Sequence, residues 1–415
     1  MAHTHAPHSV KQPADPTLAR QRQRALSVMV AVLIPVAVWT IAAMVWLWPH
    51  DLAAHVKSDP ATWQVAGVTT PNGTISQVNR IPCEGVASGT TPSSTTAVSG
   101  SCGQLTVRLD EGPEAGQTQT VQLTQAVFES GVEPGQKVLL YRIPPAGTDA
   151  ASYQFAEFER SIPIASLALM LLVVVVAVAR LRGVLALFGL GFAALIMAKF
   201  MFPALVVGHD PLLVGLVGSS AIMFVALYCA HGFSTRTTTA LVGTLAGLVI
   251  TAVLGWWTTD WAHLTGVASE DDHLLAATAP DLQLRSLVLC GIIVAGLGVL
   301  NDVTITQASA VWELASTESR RGRLFASAMR IGRDHIASTV YTTAFASAGA
   351  AMGVLALLTI NRRPPWQALT SEMFAGEVVR TLVGSIGLVL AVPITTAIAV
   401  AAVSVGAPRR ASADS

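Results

Sequence analysis

Apolar runs of roughly 17 to 25 residues, the length that helix rise and bilayer thickness impose on a crossing, recur along the chain. They lie near 26–48, 162–179, 184–202, 211–230, 240–257, 286–311, 336–360 and 378–405. The pattern predicts about eight transmembrane helices in an all-α polytopic bundle. Pro203, His209, Asp210 and Pro211 crowd the connection between the third and fourth runs. Residues 49–160 follow a different rule. In "GQLTVRL" Leu105, Val107 and Leu109 alternate with polar residues, "TVQL" offers Val121 and Leu123, and "PGQKVLLYRI" leads from a Pro-Gly turn into an apolar strand. Period-two alternation between turn residues predicts short antiparallel strands. The expected product is a small all-β domain, an OB-like or SH3-like barrel.

Composition agrees with a membrane protein. Hydrophobic residues make up 52% of the chain and charged residues 12%, where soluble domains carry about 25% charged. The formal net charge is zero, which points to no nucleic-acid partner. The first run follows Arg20, Arg22 and Arg24 but is too long for a cleaved signal sequence, and no small-residue cleavage pattern follows "WLWPH". It reads as a retained signal anchor with Trp46 and Trp48 at the outer interface.

Eight crossings place Arg20 to Arg24, Arg180 and Arg182, Arg236, the segment from Arg320 to Arg333, and Arg409 and Arg410 on one side. The loop with Glu270, Asp271, Asp272 and Asp281 falls on the other. Because Lys and Arg concentrate in cytoplasmic loops, both termini are expected in the cytoplasm of a cell whose plasma membrane holds the protein. Arg362 and Arg363 count against this arrangement. The expected organisation is a cytoplasmic tail (1–25), the anchor (26–48), an extracytoplasmic β domain (49–160), a seven-helix membrane domain (161–408) and a short cytoplasmic tail (409–415). Within the membrane domain, basic and apolar residues near 313–333 predict an amphipathic helix on the inner leaflet.

Cys83 and Cys102 are the β domain's two cysteines, and an extracytoplasmic site permits a disulfide between them. Closing that loop would stabilise the domain by roughly 3 kcal/mol; the alternative is two free thiols. Cys229 and Cys290 read as small packing residues inside spans. His3, His5 and His8 form a His-rich tract that reads more simply as a polar tail than as a metal site. No metal-ligand spacing, phosphate loop or nucleophile elbow is present, so neither a metal, another cofactor nor enzymatic activity is expected.

Charge inside an apolar run is the exception, and "GLGVLNDVTITQASAVWEL" contains one. On a helix, Gly291, Ala295, Gly298, Asp302, Thr306, Ser309 and Glu313 share one stripe, leaving Ile292, Ile293, Leu300 and Val303 opposite. Small residues admit a second helix, and a mid-span aspartate facing lipid would cost roughly 2.5–3.5 kcal/mol. The stripe is therefore expected to face inward, with Asp302 roughly 14 Å from the cytoplasmic end. The next run carries Thr339, Thr343 and Ser347 at helical spacing, with Ser338 and Thr342 beside them, as prospective donors. Lys199 is expected to snorkel to the outer interface rather than reach Asp302. Arg333 and Asp334 would form a local ion pair or gate. Two roles for Asn301 and Asp302 remain open: a proton or substrate pathway with Thr306, Ser309, Glu313, Thr339 and Thr343, or hydrogen-bonded glue between helices.

The stretches "LYCAHGFSTRTTTALVGTLAGLVITAVLG", "AHLTGVASEDDHLL", "GLGVLNDVTITQASAVWEL" and "AMRIGRDHIASTV" resemble the YibE/F-like bacterial membrane proteins across roughly the C-terminal half. The resemblance implies a polytopic protein and supplies no substrate or catalytic residue. The anchor, outside domain and "ND" span also look like SecF of the RND superfamily, whose polar intramembrane helices use proton flow; this likeness is architectural. The leading expectation is a proton-linked secondary transporter or translocation factor acting on a small solute. The alternative is a scaffold or sensor whose β domain binds an envelope partner. The bilayer is the one partner certain from composition, and small-residue spacing is compatible with a homo-oligomer.

Overall fold

The structure, a computed structural model, describes residues 16–57, 68–83, 101–144, 150–318, 320–360 and 364–403. The histidine tract, the linker between Cys83 and Cys102, Arg362, Arg363 and the terminal arginines lie outside the described residues. The chain divides into two compact units, residues 58–174 and residues 1–57 with 175–415.

The smaller unit is a five-stranded antiparallel sheet of order β3-β2-β1-β4-β5. Its strands are β1 (Asn72–Pro82), β2 (Ser101–Leu109), β3 (Thr118–Leu123), β4 (Lys137–Ile143) and β5 (Ser152–Phe158), with a short helix α2 (Gln125–Glu129) between β3 and β4. The sheet curls so that its edge strands β3 and β5 approach each other. Alternation puts Leu105, Val107, Leu109, Val121 and Leu123 inside with Ile75, Val138 and Leu140. β1 and β5 carry too few alternating apolar residues to stand out in the sequence. Yet β1 is the central strand, with Gly73 so close to β2 that a Cβ there would meet Val107 Cγ1 at 2.5 Å. Cys83 and Cys102 form a disulfide at the loop end of the β1–β2 hairpin, where β1 finishes and β2 begins, their Cα atoms 4.9 Å apart.

Among the described residues, six helices are long and apolar enough to cross a membrane, or up to seven if one bent pair counts as a span. The first is α1 (Pro16–Trp46). A 46-residue stretch comprises α3 (Ser161–Ile196), a π-helical turn (Met197–Met201) and α4 (Phe202–Val206). Then come α5 (Pro211–His231), α6 (Thr235–Trp261), the short α7 (Glu270–Thr278) and α8 (Leu284–Leu314). The bent pair is α9 (Arg321–Ala350) and α10 (Met352–Ile360), meeting at 64°. A short α11 (Pro365–Leu369) precedes α12 (Glu372–Ala402).

Inside α3, Arg180 takes φ 52° and ψ −136°, which breaks the helix. The chain doubles back there, since a Cβ at Gly183 would lie 2.7 Å from the Val175 carbonyl oxygen.

At the centre α6, α8 and α12 pack through small residues. Gly247 abuts Leu300 and Ala391, Gly255 abuts Ile292, Gly296 abuts Thr251, and Gly387 lies directly on Thr251. Removing side chains lets backbones approach, which is how helices gain packing energy where lipid offers equal apolarity. The contacts fix direction: residue numbers rise on α6 as they fall on α8, so these two are antiparallel. Gln307 bonded to Thr396, and Gly291 beneath Arg380, make α8 and α12 parallel. Thr239 donating to Met29 Sδ puts the start of the apolar span of α1 (Ser27–Trp46) beside the start of α6. Val311 packs with Ala399 and Val400, so α8 and α12 finish together. The start of the α1 span and the end of α12 thus lie at one end of the bundle, with Arg236 and the arginines of α9.

Acidic groups gather at the opposite end. Asp210 caps α5, and Ser269 and Asp272 form the capping box of α7. Asp260 pairs with Arg285 at 2.7 Å, and Asp281 with His55 at 2.8 Å. Glu372 accepts from the Thr265 and Gly266 amides and from the Thr265 hydroxyl.

The basic segment near 313–333 is not a helix of its own, since α8 ends at Leu314 and the rest belongs to α9. Arg321 begins a continuous 30-residue helix that descends along α8 and α12. Leu324, Ala328 and Gly332 recur every fourth residue and are buried in the bundle, which carries the segment inward instead of along the surface.

Candidate functional site

α8 carries polar residues on two faces, and these have different fates. The buried face holds Thr304 and Gln307. Thr304 shares a 2.6 Å hydrogen bond with Thr244 of α6. The Gln307 amide donates to the Ala328 carbonyl at 3.0 Å and to the Thr396 hydroxyl at 2.7 Å, joining α8, α9 and α12. A buried amide must find such partners, and their geometry sets the register of three helices at once.

The expected inward stripe lies on the other face, and its direction is the reverse of the expectation. Ala295, Gly298, Asp302, Thr306 and Glu313 are exposed, while Ile292, Ile293, Leu300 and Val303 are buried against the bundle. Gly291 and Ser309 are half-buried, Gly291 lying beneath Arg380 and Ser309 donating to the Ile305 carbonyl. Lipid tails are as apolar as a protein core, so Ile, Leu and Val suit either face equally. The close contacts of Gly247, Gly255 and Gly296 decided which face was sealed.

Asp302 is 68% exposed as a side chain and faces the imidazole of His335 of α9, with Oδ2 and Nε2 3.6 Å apart. That distance is too long for a direct hydrogen bond, and would be an ion pair only with a protonated imidazole. His335 is 31% exposed, but its Nε2 is buried and makes no hydrogen bond. Oδ1 of Asn301 is likewise buried without a partner. Neither atom has its ordinary hydrogen bond, and both sit at the level of one carboxylate.

Thr339 and Thr343 are half-buried on the side of α9 that meets the bundle. Their hydroxyls donate at 2.9 Å to the carbonyls one turn earlier, those of His335 and Thr339. They do not reach Asp302. Ser347 does bond across helices, accepting from Thr381 of α12 at 3.0 Å. Arg333 and Asp334 are both exposed, and no ion pair joins them.

Two charged or titratable residues beside this stripe were not singled out in the sequence. His335 stands one turn before Thr339 and Thr343, so the i, i+4, i+8 stripe already contained it. Arg380, inside the apolar run of α12, pairs with Glu377 at 2.9 Å and covers Gly291. Lys199, exposed in the π-helical turn, is remote from Asp302 in the chain and makes no ion pair. Among the described residues no cluster of three or more His, Cys, Asp or Glu side chains could hold a metal ion.

Apolar helices in this number, a sealed glycine-rich centre and a small antiparallel β unit define a multi-pass membrane protein. The family model described as YibE/F-like protein matches residues 167–405, more than half of the chain, and the chain belongs to that family. No curated protein and no solved structure matches it.

Proposed function

We propose that the protein is a proton-linked secondary transporter or translocation factor, in which Asp302 and His335 exchange a proton between α8 and α9. The observation that carries this reading is an exposed carboxylate within an apolar helix, 3.6 Å from an imidazole nitrogen that has no other partner. Lipid cannot cover such a group without a penalty of roughly 2.5–3.5 kcal/mol, so water or a polar solute is its natural neighbour. Imidazole is the side chain whose charge changes near neutrality, and intramembrane carboxylate and histidine groups serve proton relays. A proton taken by the carboxylate from one aqueous side passes to Nε2 and leaves from there. The carried solute is a small molecule admitted beside the same stripe.

The reading includes a topology. The stretch Ser161–Val206 would be ~70 Å long if straight, more than twice the ~30 Å of a hydrocarbon core. Broken at Arg180, it supplies two crossings, which with α9–α10 brings the total to eight. The arginine-rich end of the bundle then faces the cytoplasm of a plasma membrane, with both termini on that side. For the β unit we propose an OB-like barrel, on its strand order, the helix between β3 and β4, and the approach of β3 to β5.

Reconstitution in liposomes with an imposed pH gradient tests the core of the reading. Asp302→Asn should abolish proton-coupled flux, and His335→Asn should lower it at least tenfold, with both proteins monodisperse and folded. Flux equal to the parent's in Asp302→Asn would overturn the proposal.

A further inference from the structure

The arginines at the head of α9 are the largest group of basic side chains on one described element that lack a carboxylate partner. Arg108, Arg142, Arg160, Arg285 and Arg380 all pair with carboxylates. Arg320, Arg321, Arg323, Arg330 and Arg333 are all exposed, and among the described residues none makes a hydrogen bond or ion pair through its side chain. One acidic residue, Asp334, lies among them.

Their depth makes this unusual. His335 reaches Asp302, Gly332 lies against Gln307 and Val392, and the Ala328 carbonyl is bonded to Gln307. Residues 328–335 therefore run beside stretches of α8 and α12 that lie within their apolar runs, where Val392 is joined by the polar Gln307 and Asp302. The bundle-facing side of α9 is occupied by Leu324, Ala328, Gly332 and Ile336. At 100° per residue Arg323, Arg330 and Asp334 fall on the opposite side, with Arg333 at its edge. Ile331, exposed at the flank between that side and the bundle-facing one, adds an apolar surface beside it. Unpaired guanidinium groups, on stems long enough to snorkel from an apolar flank towards the basic end of the bundle, fit one kind of neighbour. It must present anionic oxygens at the polar boundary and hydrocarbon below it.

We infer that Arg323, Arg330 and Arg333 on the outward side of α9 hold the phosphate groups of anionic phospholipids in the leaflet at that end of the bundle. The complementarity is of charge and of depth. A guanidinium presents two parallel N–H donors to a phosphate, and the acyl chains cover Ile331. A soluble acidic protein would satisfy the charge but not the depth. Because α9 carries His335, lipids seated there also steady the Asp302–His335 contact. The lipid site itself does not depend on the transport reading.

Full-length protein in vesicles of mixed phosphatidylglycerol and phosphatidylcholine, probed with spin-labelled versions of each lipid, provides the test. The parent should select phosphatidylglycerol at least about threefold, and the selectivity should weaken in high salt. The triple variant Arg323→Gln, Arg330→Gln, Arg333→Gln should lose it, while Arg323→Lys, Arg330→Lys, Arg333→Lys should keep most of it. Arg108→Gln, in the β unit, is the control that should change nothing. If the triple glutamine variant does not fold, the single variants Arg330→Gln and Arg333→Gln carry the comparison, each with a partial loss. Selectivity absent in the parent, unchanged in every glutamine variant, or displaced by millimolar inorganic phosphate would overturn the inference. So would loss of selectivity only when the protein changes oligomeric state, since a second copy would then be the occupant. Proton flux is measured separately, so a failed transport reading leaves this outcome legible.

Discussion

Glu114, in the turn between β2 and β3, accepts from the Arg142 guanidinium at 2.6 and 2.8 Å and from the Tyr153 hydroxyl at 2.8 Å. Three segments of the small sheet thereby meet at one carboxylate. The Arg142 bonds, and then that of Tyr153, hold its pKa down from 4.5 to about 2. A carboxylate held below its ordinary value contributes stability above that value and loses it as the pH falls through the lowered one. Amide exchange of β4 and β5, corrected for its intrinsic pH dependence, should therefore accelerate between pH 4.5 and about 2. Glu114→Gln should exchange faster at neutral pH and show a flatter response over that window. An identical profile in the variant would deny Glu114 the role. None of this was legible in the sequence, because Glu114, Arg142 and Tyr153 meet only after two strand reversals. Asp302 was legible, as a charge inside an apolar run, and so was the helical spacing that includes His335.

At the scale of elements, the glycines of α6, α8 and α12 divide into those that touch and those that do not. A Cβ at Gly387 would collide with the Thr251 hydroxyl, which is bonded to the Gly247 carbonyl at 2.9 Å and cannot turn away without losing that bond. A Cβ at Gly298 would meet nothing within 4 Å. Gly387→Ala should destabilise the detergent-solubilised protein by about 1–3 kcal/mol through overpacking. Gly298→Ala should be neutral or stabilising by up to about 1 kcal/mol, since alanine favours a helix over glycine. Reversible unfolding in mixed micelles measures both, and equal effects at the two positions would contradict the packing. Helix existence and length were readable for most of these elements, since an uninterrupted apolar run of that length has few other solutions in lipid. The course of α9 was not. Its first third is rich in arginine and resembles an interfacial helix, yet Leu324, Ala328 and Gly332 draw it into the bundle.

Across the whole molecule, the antiparallel and parallel contacts put Ser316 and Asp271 at opposite ends of the bundle. With Cys229 and Cys290 replaced by alanine, Ser316→Cys and Asp271→Cys should be labelled by an impermeant maleimide from opposite sides of sealed vesicles. Labelling of both from one side would break the arrangement. The segregation of charge that predicts this was visible in the sequence, because insertion sorts basic loops by a local count of Lys and Arg. The bundle keeps the same segregation with Arg236, Arg321 and Arg323 at one end and Asp260, Glu270 and Asp281 at the other.

The sequence by itself determined that the protein lives in a membrane, the approximate extents of its long helices, the alternating core strands of the β unit and the family. Each of these follows from length, period or local motif, which a chain carries before it folds. Tertiary structure alone decided which face of α8 is sealed, that Thr304 and Gln307 are the polar groups holding the bundle, and that Asp302 lies open beside His335. The physical reason is that lipid and protein interior reward the same apolar side chains. In a bilayer the hydrophobic pattern says how long a helix is, and only the close approach of glycines and the partners of buried amides say which way it faces.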